Sequence, residues 1–387
     1  MILKKISLKN FRNYSAQELR FNDKFNFIYG NNGHGKTNIL EAVSYTTFGK
    51  SFLGSSESDC IKFLENEFFI DSEFENDLGN KDHIVINYNS ETKSKSIHRN
   101  KEKVMSFSSE IFGRFPMVFL SPKSLVITYG NPSDRRRFFD ILISQASRLY
   151  LDHLKELAKI LRQKNVLLKD YTMFRKYSYA EMKNLLASYN EKLAEVSAHI
   201  VFKRLNFLKE FKNYFEKNFS FLQNNNHHAS ISYFSDYLND NDAHGFDSIN
   251  EILLKYITDK TEEEIGRSIS LAGPQRDDYI FRLRKEGEEE FELKNFASQG
   301  EHKTFLIGLK LSEYDYLKDK KSTSPILLLD DVLSELDESR VSKIISHLKD
   351  YGQIFLTTTD AGYITNLKEF YRDDEISSFQ IEKGNLV

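Results

Sequence analysis

Hydrophobic positions in this chain switch between a period of two and a helical period, and the switches divide it into blocks. Leu3, Ile6 and Leu8, with Phe11 just beyond, mark a first strand, and Phe25-Asn26-Phe27-Ile28-Tyr29 is a second, mostly apolar one. From Asn38 to Thr47 the spacing of Ile39, Leu40, Val43 and Thr47 predicts a helix. Residues 1 to about 50 therefore run strand, strand, glycine-rich loop, helix. From Phe68 to Val104 the pattern is short and alternating, with Ile84, Ile86 and Tyr88 on one face and Asp77-Leu78-Gly79-Asn80 as a turn. In Phe115-Pro116-Met117-Val118-Phe119-Leu120 the proline restricts the strand to an edge, or stands at its start.

The character changes near Pro132. From Ser133 to about Gln223 there is neither Pro nor Gly, and apolar residues recur at helical spacing: Leu154, Leu157, Ile160 and Leu161, then Leu193, Val196 and Ile200. This predicts several long helices packed as antiparallel arms and closed by Asn224-Asn225-Asn226-His227-His228. After about Gly266 strand and helix alternate to the end, and no tandem repeat is visible. The expected organisation is α/β: a mixed sheet with flanking helices in two parts, residues 1–132 and 266–387, separated by an inserted helical arm, residues 133–265.

With 40% apolar and 29% charged residues, the chain has the composition of an ordinary globular protein. Its 32 Phe and 20 Tyr, without Trp, make those two the source of aromatic core volume. The single Cys60 rules out an intramolecular disulfide and fits a reducing compartment. No apolar run reaches signal-peptide or bilayer-spanning length, so the expectation is a cytoplasmic protein with no membrane partner. Residues 151–217 carry 14 Lys and Arg against 8 Asp and Glu; this local excess of +6 leaves the rest of the chain at −9 for a net of −3. The helical block reads equally as a plain supporting bundle and as a basic arm that touches nucleic acid.

The chemistry starts at Gly30-Asn31-Asn32-Gly33-His34-Gly35-Lys36-Thr37, a G-x-x-x-x-G-K-T phosphate loop between a strand and a helix. Its glycines let backbone N–H groups turn onto a polyphosphate at a helix N-terminus. Lys36 supplies charge to the outer phosphates and Thr37 a hydroxyl for Mg²⁺. Pro325-Ile326-Leu327-Leu328-Leu329-Asp330-Asp331 reads as a buried strand delivering two carboxylates, Asp330 for Mg²⁺ and Asp331 to orient the attacking water. Lys36 and Asp330 are 294 positions apart, which requires a long insertion within one nucleotide-binding head. A third segment, Ala297-Ser298-Gln299-Gly300-Glu301, opens a helix. Alone it favours a serine N-cap; beside a phosphate loop it is a second anion site, suited to the γ-phosphate of ATP on another subunit.

Together these motifs resemble the head of an ABC-type ATPase of the SMC-like branch, and most closely the RecF family. The resemblance covers nearly the whole chain: Lys9-Asn10-Phe11-Arg12-Asn13-Tyr14, the phosphate loop, Ser133 to Phe138, Leu161-Arg162-Gln163-Lys164-Asn165, Gly273-Pro274-Gln275-Arg276-Asp277-Asp278, Ser298 to Glu301, and Leu329 to Asp337. It implies a homodimer formed on ATP, in which two heads sandwich two nucleotides. Arg12 and Asn31 to Asn38 would then bind nucleotide in one chain and Ser298, Gln299 and Gly300 in the other. Lys36 and Asp331 are the implied catalytic residues, Thr37 and Asp330 the Mg²⁺ ligands, and Ser334 to Asp337 line the interface. The resemblance further implies DNA binding at single-strand gaps or single-strand/double-strand junctions, help in recombinase loading, and RecO and RecR as partners. An SMC-like ATPase with a chromosome-organising role is the alternative.

The chain departs from the family pattern at Ser51-Phe52-Leu53-Gly54, where Arg and Thr are usual, and at Gln275, where histidine is common; no glutamine lies between Phe115 and Ile127. Asp331 is one methylene shorter than the glutamate of fast ABC ATPases, which predicts slow hydrolysis. Arg162, Lys164, Lys203, Arg204 and Lys212 are the DNA-contact candidates in the arm, whereas Arg135, Arg136 and Arg137 favour a structural role. A transporter subunit is disfavoured by the long gap between the nucleotide motifs. A nuclease is disfavoured because no further His, Asp and Glu cluster is visible.

Overall fold

The computed structural model describes residues 1–174, 177–223, 227–239, 245–333 and 338–387. The segment Ser334 to Asp337, expected at an interface, therefore lies outside the described residues, as do Asn224 to Asn226. The chain forms two compact units, residues 1–125 with 307–387, and residues 126–306. Its strands, in chain order, are β1 (Ile2–Phe11), β2 (Tyr14–Arg20), β3 (Phe25–Tyr29), β4 (Glu67–Glu75), β5 (Lys81–Asn89), β6 (Ser94–Arg99), β7 (Glu102–Lys103) and β8 (Met117–Leu120). They continue with β9 (His227–Phe234), β10 (Asp278–Lys285), β11 (Phe291–Glu292), β12 (Ile326–Asp330), β13 (Ile354–Thr358), β14 (Ile376–Glu382) and β15 (Asn385–Leu386).

The first unit holds two six-stranded sheets. One has the order β15-β14-β3-β13-β12-β8 and is parallel from β14 to β8. Its central strands β12 and β13 are buried at every position, the pattern of a sheet covered on both faces. The other, β2-β1-β4-β5-β6-β7, is antiparallel, and β4 and β5 alternate buried with half-buried residues as the period-two sequence requires. Between β4 and β5, Gly79 at φ 77° closes the turn. Among the described residues strand β8 pairs only with β12 and forms the edge, and Pro116 precedes it and accepts from Ile326 N–H.

The helix Lys36–Phe48 touches strands of both sheets, which is why ten of its thirteen residues are buried. One core joins the three layers: Ile6, Ile70 and Ile86 from the antiparallel sheet, Ile39, Leu40 and Val43 from the helix, Ile28, Leu328 and Phe355 from the parallel sheet. Each such side chain stabilises the unit by about 1.5–3 kcal/mol. The aromatic composition appears here as edge-to-face packing: Phe11 lies 5.3 Å from Phe68 and 6.3 Å from Tyr45.

The second unit contains the long helices Arg148–Phe174 and Tyr179–Gln223. His153 stacks on His199, and the cluster of Leu167, Leu168, Met182 and Leu186 lies towards the other end. Rising numbers in one helix thus meet falling numbers in the other, so the pair is antiparallel. The unit is not wholly helical. Strand β9 pairs along its full length with β10 in a sheet of order β11-β10-β9. Residues 266–306 therefore group with the insertion, not with the C-terminal part of the head as the sequence pattern predicts. The polar start of β9, His227-His228, hides its alternation.

Candidate nucleotide site

The phosphate loop follows β3, and its shape depends on glycine. Gly30 has φ 151°, and a Cβ there would lie 2.2 Å from the carbonyl oxygen of Ile381. Gly35 has φ 111°, with a Cβ placed 2.5 Å from the Asn13 side chain. Both positions combine a left-handed backbone with a close neighbour, so no other residue fits. Asn31, Asn32 and Gly33 are exposed at the crest. The base is clamped from two sides. Asn13 Nδ2 donates to His34 O at 2.9 Å, Asn38 Nδ2 to Asn13 Oδ1 at 2.8 Å, and Tyr14 OH to Gly35 O at 3.0 Å. From the β14–β15 hairpin, Gly384 N–H donates to His34 O at 2.9 Å.

Lys36 is buried, and its ammonium donates to Gly30 O at 2.7 Å and Asn31 O at 3.0 Å. Burial lowers its pKa, against the raising effect of Asp331 and Asp330. Thr37 Oγ1 donates to Asp330 Oδ1 at 2.8 Å, joining residues 293 positions apart in sequence. The same carboxylate oxygen accepts from Thr357 Oγ1 at 2.7 Å. Burial raises the Asp330 pKa despite the two hydroxyl donors, and the neighbouring Asp331 raises it further. This arrangement fits Mg²⁺: two hard oxygens converge, and the buried carboxylate is short of positive charge. Among the described residues no group of three or more His, Cys, Asp or Glu forms another candidate metal site.

Asp331 adopts φ 50° directly after β12, and its N–H donates to Thr357 O and Thr357 Oγ1, both at 3.1 Å. Thr357 thus holds both residues, the first by its carboxylate and the second by its backbone. No motif singles Thr357 out, and its one signal in the sequence is a threonine near the end of an apolar strand. Arg12, also left-handed at φ 55°, lies against the helix that follows the loop. Its Nε and Nη2 grip the fully buried Glu41 at 2.7 and 2.6 Å, Nη2 also reaches Ser55 Oγ at 2.6 Å, and Nη1 donates to Asp59 O at 2.7 Å. Glu41, four residues after Thr37, was likewise not anticipated.

Ser298, Gln299 and Gly300 belong to the second unit and are exposed. Ser298 Oγ accepts from Glu301 N–H at 3.4 Å and Ser298 N–H donates back to Glu301 Oε2 at 2.7 Å, the reciprocal pair of a serine N-cap. Two of the expected DNA contacts are corrected. Lys164 is fully buried in an ion pair with Glu264 at 2.6 Å. Arg204 is 1% exposed, donating to Asp140, Tyr150 OH, Tyr233 OH and Pro274 O. Charge alone could not separate these core residues from surface cations. Arg162 is exposed, Lys203 half-buried, and Lys212 is exposed with Glu216 at 3.7 Å. Arg135 grips Asp278 through both ends of its guanidinium at 2.8 and 2.7 Å, and Arg136 donates to Asp277 O, as a structural role requires.

Comparison with known proteins places this geometry. The chain matches the family model described as RecF/RecN/SMC N terminal domain over residues 2–377. The DNA replication and repair protein RecF of Chloroherpeton thalassium (strain ATCC 35110 / GB-78) is 38% identical over 377 residues, which cover 95% of this chain and 98% of that protein. A solved structure of the recombination mediator protein RecF with ATP in the RecFOR pathway is 31% identical, with a TM-score of 0.86 over 100% of this chain and 98% of that one. The Smc head domain of Pyrococcus furiosus, bound to the C-terminal domain of ScpA, shares the fold at 17% identity, with a TM-score of 0.58 over 100% and 96% of the two chains. The phosphate loop, the acidic strand end beside it and similarity along nearly the entire length make this chain a member of the RecF family, with the ABC-type ATPase fold of the SMC-like branch.

Proposed function

We propose that the protein is an ATP-dependent DNA-binding protein of recombinational repair and replication. It dimerises on ATP, hydrolyses it slowly, and acts in the cytoplasm at single-strand gaps to help load a recombinase. The observation that carries the nucleotide chemistry is the 2.8 Å contact between Thr37 Oγ1 and Asp330 Oδ1 beside the Lys36 loop. DNA replication and repair are in the name of the relative from Chloroherpeton thalassium, and ATP is in the description of the solved RecF structure.

Each residue has a chemical task. The backbone N–H groups of Asn31 to Thr37 face the phosphates at the helix N-terminus. The Lys36 ammonium exchanges two loop carbonyls for the outer phosphate oxygens. Thr37, whose O–H donates a hydrogen bond to Asp330 and leaves its lone pairs available, and Asp330 would hold Mg²⁺, which would supply positive charge to the phosphate oxygens. Asp331 orients the attacking water, with its backbone fixed by Thr357. The Ser298 helix start, exposed beside Phe296 at 73% exposure, meets the γ-phosphate of the other copy. Dimer closure then forms a composite DNA surface, hydrolysis releases it, and RecO and RecR are the expected protein partners.

Light scattering on the full chain, with and without ATP and then with a gapped duplex, tests this reading. The expected result is a doubling of mass in saturating ATP. A mass that stays at one chain under both conditions overturns it.

A further inference from the structure

The helix Arg148–Phe174 has two faces of opposite character. Tyr150, Leu157, Ile160, Lys164, Leu167 and Leu168 are buried. Lys155, Lys159, Arg162, Val166 and Lys169 are exposed and recur at spacings of four, three, four and three. At 3.6 residues per turn these five fall within about 40° of one line opposite the buried face, over a length of about 21 Å. The acids of the helix, Asp152, Glu156 and Asp170, lie together on one flank, roughly 60–100° around from the line. Lys155 is 3.4 Å from Asp152; among the described residues Lys159, Arg162 and Lys169 have no acidic partner. On the other flank Asn165 Oδ1 accepts from Ser270 N–H at 2.7 Å, and the exposed Arg276 donates to Ser270 O at 3.0 Å, which brings a further guanidinium alongside.

We infer that this stripe is a docking track for the phosphate backbone of duplex nucleic acid. The inference rests on the DNA-binding reading above and assigns it a surface. The row is linear, cationic and apolar only at Val166. A protein partner would need a cluster of aromatic or large aliphatic anchors, and the stripe offers only the single valine. A single strand would need aromatic platforms for its bases, and no aromatic residue lies on the line. What remains is a row of cations suited to sequence-independent phosphate contacts. The buried Lys164–Glu264 pair serves this surface indirectly. It fixes the helix against the segment leading to Arg276, so the cations project from a rigid element.

The test uses the full chain carrying Lys159→Ala, Arg162→Ala and Lys169→Ala together. Fluorescence anisotropy measures its binding to a labelled duplex of mixed sequence across a KCl series. For each lost phosphate contact the slope of log affinity against log salt becomes shallower by ~0.9, so the triple variant loses nearly three. ATP binding and the thermal midpoint stay at parental values. If the triple variant melts early, the three single variants are each read for a change of ~0.9. A variant with the parental slope and affinity overturns the stripe while leaving DNA binding in place, whether the face is merely solvated or docks an acidic protein. A parent that binds no duplex overturns both the stripe and the DNA reading beneath it.

Discussion

Glu41 shows how much a single side chain holds near the phosphate loop. It is fully buried, receives Arg12 through two nitrogens and accepts the Ser51 hydroxyl. Truncation leaves the guanidinium without its counter-charge. Glu41→Ala should therefore lower unfolding free energy by about 3–5 kcal/mol, read by chemical denaturation. A loss below 1 kcal/mol would show the pair to be dispensable. Asp331 raises the question of rate. Its φ of 50° suits aspartate, which tolerates the left-handed region better than most residues. Lengthening it by one methylene brings the carboxylate closer to water, so Asp331→Glu should hydrolyse ATP faster in a steady-state phosphate-release assay. Turnover equal to or below the parent's would remove chain length as the cause of slow hydrolysis. The loop residues were legible because glycine, lysine and threonine at fixed spacing have few other uses. Thr357 and Glu41 were not, because each acts only through residues distant in sequence.

At the scale of elements, the start of β10 meets the long helix Tyr179–Gln223 in a buried polar network. The Asp277 carboxyl accepts from Tyr233 and Tyr237, near Arg204. Burial pushes its pKa up to about 6, outweighing Arg204 and the two tyrosine donors. A carboxyl raised in the folded state contributes stability that is fully present below its unfolded value near 3.8 and is lost as pH rises through about 6. Between pH 7.5 and 5 this group alone should add about 1 kcal/mol to unfolding free energy. Asp277→Asn should lack that increment when denaturation curves at the two pH values are compared with the parent's. An identical pH response in both proteins would place the titration elsewhere. Strands β4 and β5 and the helices of the insertion were readable because one face of each is apolar at a regular period. Strand β9 escaped because it opens on two histidines, and its pairing with β10 moves residues 266–306 into the insertion.

For the whole molecule, the decisive proposal is that each nucleotide is shared between two copies. Ser298 already caps its own helix through Glu301, so its loss removes a cap as well as a ligand. Ser298→Ala should leave ATP binding by the single chain within about threefold while abolishing the ATP-dependent doubling of mass; a stabilised dimer follows ligand binding by mass action. Loss of ATP binding by the single chain would reject the shared site. The capping cost, about 1 kcal/mol, is separable as a small shift in thermal midpoint without nucleotide.

By itself the sequence determined the α/β class, the phosphate loop, its acidic counterpart and the presence of a long insertion, because these depend on local period and fixed spacing. Only the tertiary structure decided which cations are free. Lys164 and Arg204 looked like surface charges and prove to be buried partners of Glu264 and of Asp140. Lys159, Arg162 and Lys169 became a surface only once the opposite face of their helix was covered. The physical reason is that the exposure of a charged side chain is set by what folds over it, and for Lys164 and Arg204 the partners, Glu264 and Asp140, lie more than fifty residues away in sequence.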